Sequence, residues 1–153
     1  MNVINSSGLI QFLFLALFVI PAIFFILTQQ NTLKAVQPQN RIMPAGQVWL
    51  QLIPLFGLVW QFFVVIKISD SLRKELAMRN NMFSFENQAA YSFHETQPRP
   101  TYQIGIVYCI LICCSVIMPT LLKGLLALAG MVCWVIYWVQ LSNYKRKILQ
   151  YTV

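Results

Sequence analysis

Cysteine is the residue type best suited to covalent chemistry in this 153-residue chain, and all four cysteines lie inside apolar runs. Cys109 and Cys113 are four residues apart, so a helix would bring both to one face. That spacing does not allow a relaxed disulfide within one helix. Cys114 and Cys133 complete the set. We interpret these side chains as small, polarizable packing residues, and we keep a thiol- or lipid-directed enzyme using Cys109 and Cys113 as an alternative.

Metal, cofactor and proton-relay chemistry has few candidate side chains. The single histidine, His94, excludes a haem held by two histidines of this chain and makes a zinc site improbable on composition. The four acidic residues, Asp70, Glu75, Glu86 and Glu95, all fall between two apolar runs, which counts against an ion-coupled transporter. Nucleotide-binding and zinc-protease motifs are missing from the sequence. We therefore expect no catalytic residues, no metal and no cofactor.

A stripe of polar and small residues interrupts the second apolar run. Gln51, Pro54, Gly57 and Gln61 recur at spacings of three, three and four, which would align them on one face of a helix. Exposing amide groups to lipid is unfavourable, so this face should contact protein. Three interpretations remain open: helix packing through side-chain hydrogen bonds, contact with another subunit, and the lining of a pore formed by several copies.

The amino-acid composition indicates that much of the protein surface contacts lipid. Hydrophobic residues make up 58% of the chain and charged residues 10%, whereas soluble domains carry about 25% charge. The mean hydropathy is +0.65. The net charge of +7 comes from cations that flank apolar runs instead of forming one basic face, so we predict a lipid bilayer as the partner and no nucleic acid.

Four apolar runs are long enough to cross a membrane, given a lower limit of about 17 residues. The fold class that we predict is an all-α membrane protein with four transmembrane helices in a single domain, 1–153. The predicted spans are 9–28, 48–68, 102–118 and 121–141, with a cytoplasmic loop over 69–101 and a basic tail over 142–153. The last two spans form a tight hairpin around Pro119, with a shallow re-entrant hairpin as the alternative. The first run lacks the cationic start and cleavage pattern of a signal peptide.

The second helix should continue past the membrane, because Ile68, Leu72 and Leu76 repeat every four residues among charged neighbours. Acid-first pairs at a spacing of four, Asp70 with Lys74 and Glu75 with Arg79, would support this extension. Its charged face and the aromatic loop after it offer a surface for cytoplasmic contact. The candidate residues on that surface are Arg73, Lys74, Phe83, Phe85, Tyr91 and Phe93.

The fourth run carries small residues near its start and aromatic residues near its end. Gly124, Ala127 and Gly130 would let another helix approach closely. Trp134, Tyr137 and Trp138 read as an aromatic belt at the membrane interface. Helix packing or partner contact is thus predicted at both the small-residue surface and the glutamine stripe.

Lysine and arginine counts predict the orientation. With four spans, eight of these residues fall on one side and Lys34, Arg41 and Lys123 fall on the other. Because cytoplasmic loops are enriched in cations, both termini should lie in the cytoplasm (N-in, C-in).

Several segments resemble small bacterial membrane proteins of unknown function. The resemblance rests on Arg41-Ile-Met-Pro44, on Trp49-Leu-Gln-Leu-Ile-Pro54 with Trp60, on Arg99-Pro-Thr-Tyr102, and on Trp134-Val-Ile-Tyr-Trp138. It covers residues 40–145 and implies four helices in a bacterial cytoplasmic (inner) membrane. It implies no activity.

The leading functional hypothesis is a non-catalytic integral membrane subunit or scaffold of a larger assembly. Other membrane protein subunits would be its partners, and a homo-oligomer is possible. The alternative is a homo-oligomeric channel or small transporter, and the second alternative is the thiol- or lipid-directed enzyme named above.

Overall fold

The computed structural model describes residues 6–84 and 99–150. Within these ranges the chain is all-helical, with five helices and no strand, so the all-α prediction is confirmed. The helices are α1 Ser6–Ala35, a 3-10 helix Ala45–Leu52, α2 Phe56–Ser84, α3 Tyr102–Ile117 and α4 Thr120–Gln150.

The predicted helix over 48–68 is wrong at its start, because Pro54 breaks it. Proline has no N–H and disfavours a helical residue before it, and Ile53 is accordingly extended, with φ −73° and ψ 118°. Leu55 follows in the left-handed region at φ 62°. A Cβ at Gly57 would overlap the Gln51 carbonyl oxygen, so glycine is what allows the chain to turn this tightly. The short 3-10 helix therefore ends here and α2 begins at Phe56.

Residues 36–55 form an inserted hairpin that leads the chain back along the bundle. Its first part packs on the later turns of α2: Gln37 and Asn40 contact Glu75, and Ile42 contacts Ser71. The 3-10 helix then returns toward the level of Phe25 in the middle of α1. As a result α1 and α2 run parallel, and the segment after α1 lies at the same end as the end of α2.

The helices α3 and α4 form the tight hairpin predicted from the sequence. Beside Met118 and Pro119 the chain reverses, and Gly130 packs against Leu111 and Ile112. At the other end of α3, Thr101 lies 3.4 Å from the hydroxyl of Ser69 on α2. Thus α3 runs antiparallel to α2, and α4 runs parallel to it.

An aromatic cluster joins α1 to α4. The ring of Phe25 lies 5.2 Å from that of Trp134 and 5.9 Å from those of Tyr137 and Trp138. The Trp138 indole donates to the Thr28 hydroxyl at 2.9 Å. Tyr137 is buried in the bundle, and Trp134 and Trp138 are half-buried and pack against α1. Because α1 and α4 run parallel, the N-terminal end of α1 and the C-terminal end of α4 lie at opposite ends of the bundle. The N-in, C-in expectation would place these two ends on the same side.

Cations collect at one end of the bundle, which we call the charged end. The start of the inserted hairpin lies beside the later turns of α2. Lys34 and Arg41 therefore lie at the same end as the cations of α2. From the course of the helices, the charged end then holds ten of the eleven basic residues, and Lys123, near the start of α4, lies at the opposite end. The ten are Lys34, Arg41, Lys67, Arg73, Lys74, Arg79, Arg99, Lys145, Arg146 and Lys147.

Apolar side chains cover much of the surface between the two ends. Leu55 is 82% exposed, Leu128 63% and Val132 60%. Of the described residues, the segment Leu122–Gln150 is a helix long and apolar enough to cross a membrane, by length and composition alone. The apolar helix α3 is shorter, with 16 residues. This is a weak indication of a membrane location, and four spans are not confirmed.

Replacing Gly105 by alanine should destabilise the bundle. The new Cβ would lie 2.5 Å from Val65 Cγ1 and 2.9 Å from Tyr137 Cε2, between three packed helices. Such overpacking costs about 1–3 kcal/mol. Gly124→Ala is the matched control: nothing lies within 4 Å of its Cβ position, and the helix should gain about 0.5–1 kcal/mol. Thermal unfolding in detergent measures both, and equal melting temperatures would contradict this packing.

Candidate functional site

A buried carboxylate organises the charged end. Glu75 is fully buried, and four donors surround it. The Gln37 backbone N–H donates at 3.1 Å and the Asn40 side-chain amide at 2.7 Å. The Arg79 guanidinium, one helical turn further along α2, lies 2.9 Å away through Nε and 2.7 Å away through Nη2. The predicted pair Glu75–Arg79 is therefore present, whereas Asp70 pairs with Arg99 instead of Lys74.

These donors determine the ionisation state of the carboxyl group. Burial raises the pKa of Glu75, but hydrogen bonds from Asn40, Arg79 and Gln37, together with the charge of Arg79, outweigh this effect. The pKa therefore lies below its ordinary value. Glu75 is an anion at neutral pH, and each of its hydrogen bonds is charge-assisted and correspondingly strong.

A second set of bonds fastens the inserted hairpin to the same region. The Ile42 N–H donates to the Ser71 hydroxyl at 3.0 Å, and that hydroxyl donates to the Lys67 carbonyl at 2.7 Å. The Arg41 guanidinium donates to the carbonyls of Lys34 and Val36 at the end of α1, where helical carbonyls lack partners. The start of the hairpin is thus held on both sides.

The glutamine stripe comes together in space, although not on one helix. Gln51, Pro54, Gly57 and Gln61 all line one open cavity of about 410 Å³ between the hairpin, α1 and α3. The Gln51 amide donates to Gln29 Oε1 at 2.6 Å and to the Val48 carbonyl at 2.9 Å.

Gln61 also has its partner inside the chain. Its amide points at the thiol of Cys113 on α3, with Nε2 3.9 Å from Sγ. Both glutamines of the stripe therefore make contacts within this chain. Of the three interpretations, packing through side-chain hydrogen bonds is the one that these contacts support.

The middle of the bundle retains unpaired polar atoms. Gln29 Nε2 and the hydroxyl groups of Tyr108 and Tyr137 are buried without a hydrogen-bond partner among the described residues. The two tyrosine rings lie 5.3 Å apart. At the charged end, Arg41 Nε is likewise buried without a partner among the described residues. An unmade bond of a buried polar group costs about 1–3 kcal/mol.

The remaining predicted contact residues differ in their exposure to solvent. On α4, Gly130 is packed, while Gly124 and Ala127 are exposed. On α2, Arg73 is half-buried and Lys74 is exposed. Phe83 lies in α2, but its side chain is outside the described structure, as are Phe85, Tyr91, Phe93 and His94.

Sequence reasoning missed three residues that fasten the hairpin to α1 and α2: Asn40, Ser71 and Gln29. An isolated amide or hydroxyl has no recognisable spacing. One signal was present: Ser71 and Glu75 are four residues apart and share a face with Leu72 and Ile68. Polar groups on an apolar face must find polar partners when buried.

Exchanging the Glu75 carboxylate for an amide tests whether its hydrogen bonds and ion pair stabilise the charged end. Glu75→Gln removes the charge that pairs at 2.7 Å with Arg79, whose side chain is 11% exposed. Breaking a buried pair in this way costs about 3–5 kcal/mol. Asp70→Asn makes the same exchange at a half-exposed pair with Arg99 and should cost about 0–1 kcal/mol. Chemical unfolding in detergent compares the two, and similar losses would contradict the assigned role of Glu75.

Acid should weaken the same contacts. Because the folded-state pKa of Glu75 lies below the ordinary value of 4.5, its stabilising contribution is complete above that value. The contribution disappears as the pH falls through the folded-state pKa. The melting temperature of the wild-type protein should fall below about pH 4.5, and that of Glu75→Gln should depend less on pH. Parallel pH curves for the two proteins would refute this.

Comparison with known proteins adds no relative to this picture. No family model, curated protein or solved structure matches the chain. The resemblance to small four-helix bacterial membrane proteins therefore stays a prediction, and the functional argument depends on the residues alone.

Proposed function

We propose that this chain is a multi-pass protein of the bacterial cytoplasmic (inner) membrane with its charged end in the cytoplasm. The supporting observation is the distribution of cations: ten lie at one end of the bundle and Lys123 lies at the other. Basic residues favour the cytoplasmic side. The exposed apolar surface between the ends, including Leu125 and Leu128 on α4, suits contact with lipid.

In this arrangement α1, α3 and α4 cross the membrane. Residues 36–55 enter it from the cytoplasmic side, and α2 returns to the same side. The N-terminal end of α1 then lies outside and the C-terminal end of α4 inside. Irregular backbone is tolerated at membrane depth when its polar groups have partners. The turn at Pro54 meets this condition in part, since the N–H groups of Phe56 and Gly57 donate to the carbonyls of Pro54 and Ile53 at 2.7 Å.

Cysteine labelling tests the orientation. In a variant without native cysteines, Gly8→Cys and Lys123→Cys should react with an impermeant maleimide in spheroplasts. Both positions lie at the end opposite the charged end, which this proposal places outside. Lys147→Cys should react only after permeabilisation. Protection of Gly8→Cys together with labelling of Lys123→Cys would restore the arrangement with both termini inside.

Within that membrane, we propose the role of a non-catalytic subunit or scaffold of a larger assembly. The observation that carries this proposal is the exposed small-residue surface of α4. Gly124 has open space at its Cβ position, and Ala127 is exposed beside it. Small exposed residues allow the backbone of another helix to approach closely, and close packing is what drives helix association in lipid.

The channel alternative ranks lower. A pore formed by several copies would need the amides of Gln51 and Gln61 to face water between chains. Both amides instead contact groups of their own chain. The thiol- or lipid-directed enzyme ranks below it, since Cys109 is fully buried and the Cys113 thiol is engaged with Gln61.

A bulky residue at Gly124 tests the subunit role. The protein should co-purify with stoichiometric membrane partners in mild detergent, and Gly124→Leu should release them by obstructing the approach of their helix. The melting temperature of the isolated protein should hardly change, because the site is open. Gly8→Leu, at another exposed helical glycine with nothing within 4 Å, is the matched control and should retain the partners. A wild-type protein that purifies alone, as a monomer, would rule out the proposal.

A further inference from the structure

A groove between α3 and α4 opens at the charged end of the bundle. Its volume is about 930 Å³, which lies in the range of small-molecule sites. Arg99 and the first turn of α3 form one wall, and the last turns of α4 form the other. The residues that matter here are Arg99, Gln103, Val107, Asn143, Tyr144 and Lys147.

The chemistry of the groove suits an anion. Arg99 and Lys147 contribute two cations, and Gln103, Asn143 and Tyr144 contribute neutral hydrogen-bond donors. The N-terminal end of α3 adds partial positive charge, and Thr101, the residue before it, makes no capping bond through its side chain. Phosphate is the anion that such a combination of Arg, Lys and helix N-terminus binds well.

The position of Arg99 is set before any ligand binds. Its Nε lies 3.2 Å from Asp70 Oδ1, and its guanidinium lies over the ring of Tyr102 at 5.1 Å. The side chain nevertheless remains 42% exposed, so part of the guanidinium is free to meet the anion. Since Asp70 offsets part of the Arg99 charge, Lys147 supplies the uncompensated cation.

The change from charged to apolar residues along the groove indicates a lipid as the source of the phosphate. From Arg99 and Lys147 the groove extends toward Ile104 and Val107. Val107 is 44% exposed, and Ile110, one turn further along α3, is 47% exposed. A ligand with a phosphate at one end and acyl chains at the other matches this change from charged to apolar. Basic pockets between membrane helices on the cytoplasmic side bind anionic head groups in this way.

We propose that this groove binds the head group of an anionic diacyl phospholipid of the cytoplasmic leaflet, with Arg99 and Lys147 on its phosphate and the acyl chains along α3. The inference rests on the proposed membrane orientation but not on the subunit role. The labelling experiment on Gly8 and Lys123 separates the two: if it supports the orientation and lipid binding fails, the lipid site alone is lost.

Native mass spectrometry of the detergent-solubilised protein tests the site with phosphatidylglycerol and phosphatidylcholine of identical acyl chains. The wild-type protein should bind one phosphatidylglycerol more tightly than phosphatidylcholine. The double variant Arg99→Gln/Lys147→Gln should weaken phosphatidylglycerol binding about 25-fold, the product of about fivefold for each cation near an anionic lipid. The charge-matched control Lys145→Gln/Arg146→Gln changes two cations that do not line the groove and should stay within about threefold of wild type.

Equal affinity for the two lipids, or equal weakening in the control, would overturn the proposal. Inorganic phosphate at 10 mM separates the sources of phosphate: failure to displace phosphatidylglycerol supports a lipid site, and full displacement indicates a site for free phosphate. Helical circular dichroism checks that each variant folds. If the double variant does not, Lys147→Gln against Arg146→Gln repeats the comparison at two exposed positions of α4, with about a fivefold loss expected for the first.

Discussion

The carboxylate of Glu75 links two parts of the chain that are distant in sequence. It accepts hydrogen bonds from Gln37 and Asn40 at the start of the inserted hairpin, and it pairs with Arg79 one turn further along its own helix, α2. A buried charge is tolerated only when its hydrogen-bonding capacity is filled. That constraint brings the start of the hairpin to the later turns of α2, and the parallel course of α1 and α2 follows from it.

The inserted hairpin in turn determines how charge is distributed. A continuous second span would have carried Lys34 and Arg41 to the end of the bundle opposite Glu75. Because the chain turns back at Pro54, both cations stay with the rest, and the asymmetry between the two ends becomes nearly complete. The same end carries the groove of Arg99 and Lys147. A subunit role and an anionic lipid site are compatible, since α4 presents its small residues near one end and its groove residues near the other.

Local patterns predicted most of the helices well. The α3–α4 hairpin agrees with the sequence to within a few residues apart from the longer end of α4, because apolar runs and Pro119 act locally. The extension of α2 beyond residue 68 and the Glu75–Arg79 pair were also predictable, since a spacing of four is a property of the helix itself. Of the candidate site, the sequence indicated Gln51 and Gln61 as protein-facing residues, and their internal contacts agree with that. Their placement on one helical face was wrong, because the stripe contains the proline that ends the helix.

The sequence by itself determined the helical class and the preference for apolar surroundings, which depend on composition and on residues a few positions apart. It also determined that the amides would need polar partners. Only the tertiary structure decided which partners these are: Gln29 for Gln51, Cys113 for Gln61, and Asn40 and Gln37 for Glu75. The direction of α1 relative to α4 belongs to the same category. The physical reason is that a buried polar group requires a partner but does not specify one, so contacts between distant segments select among several arrangements with equally well-formed helices.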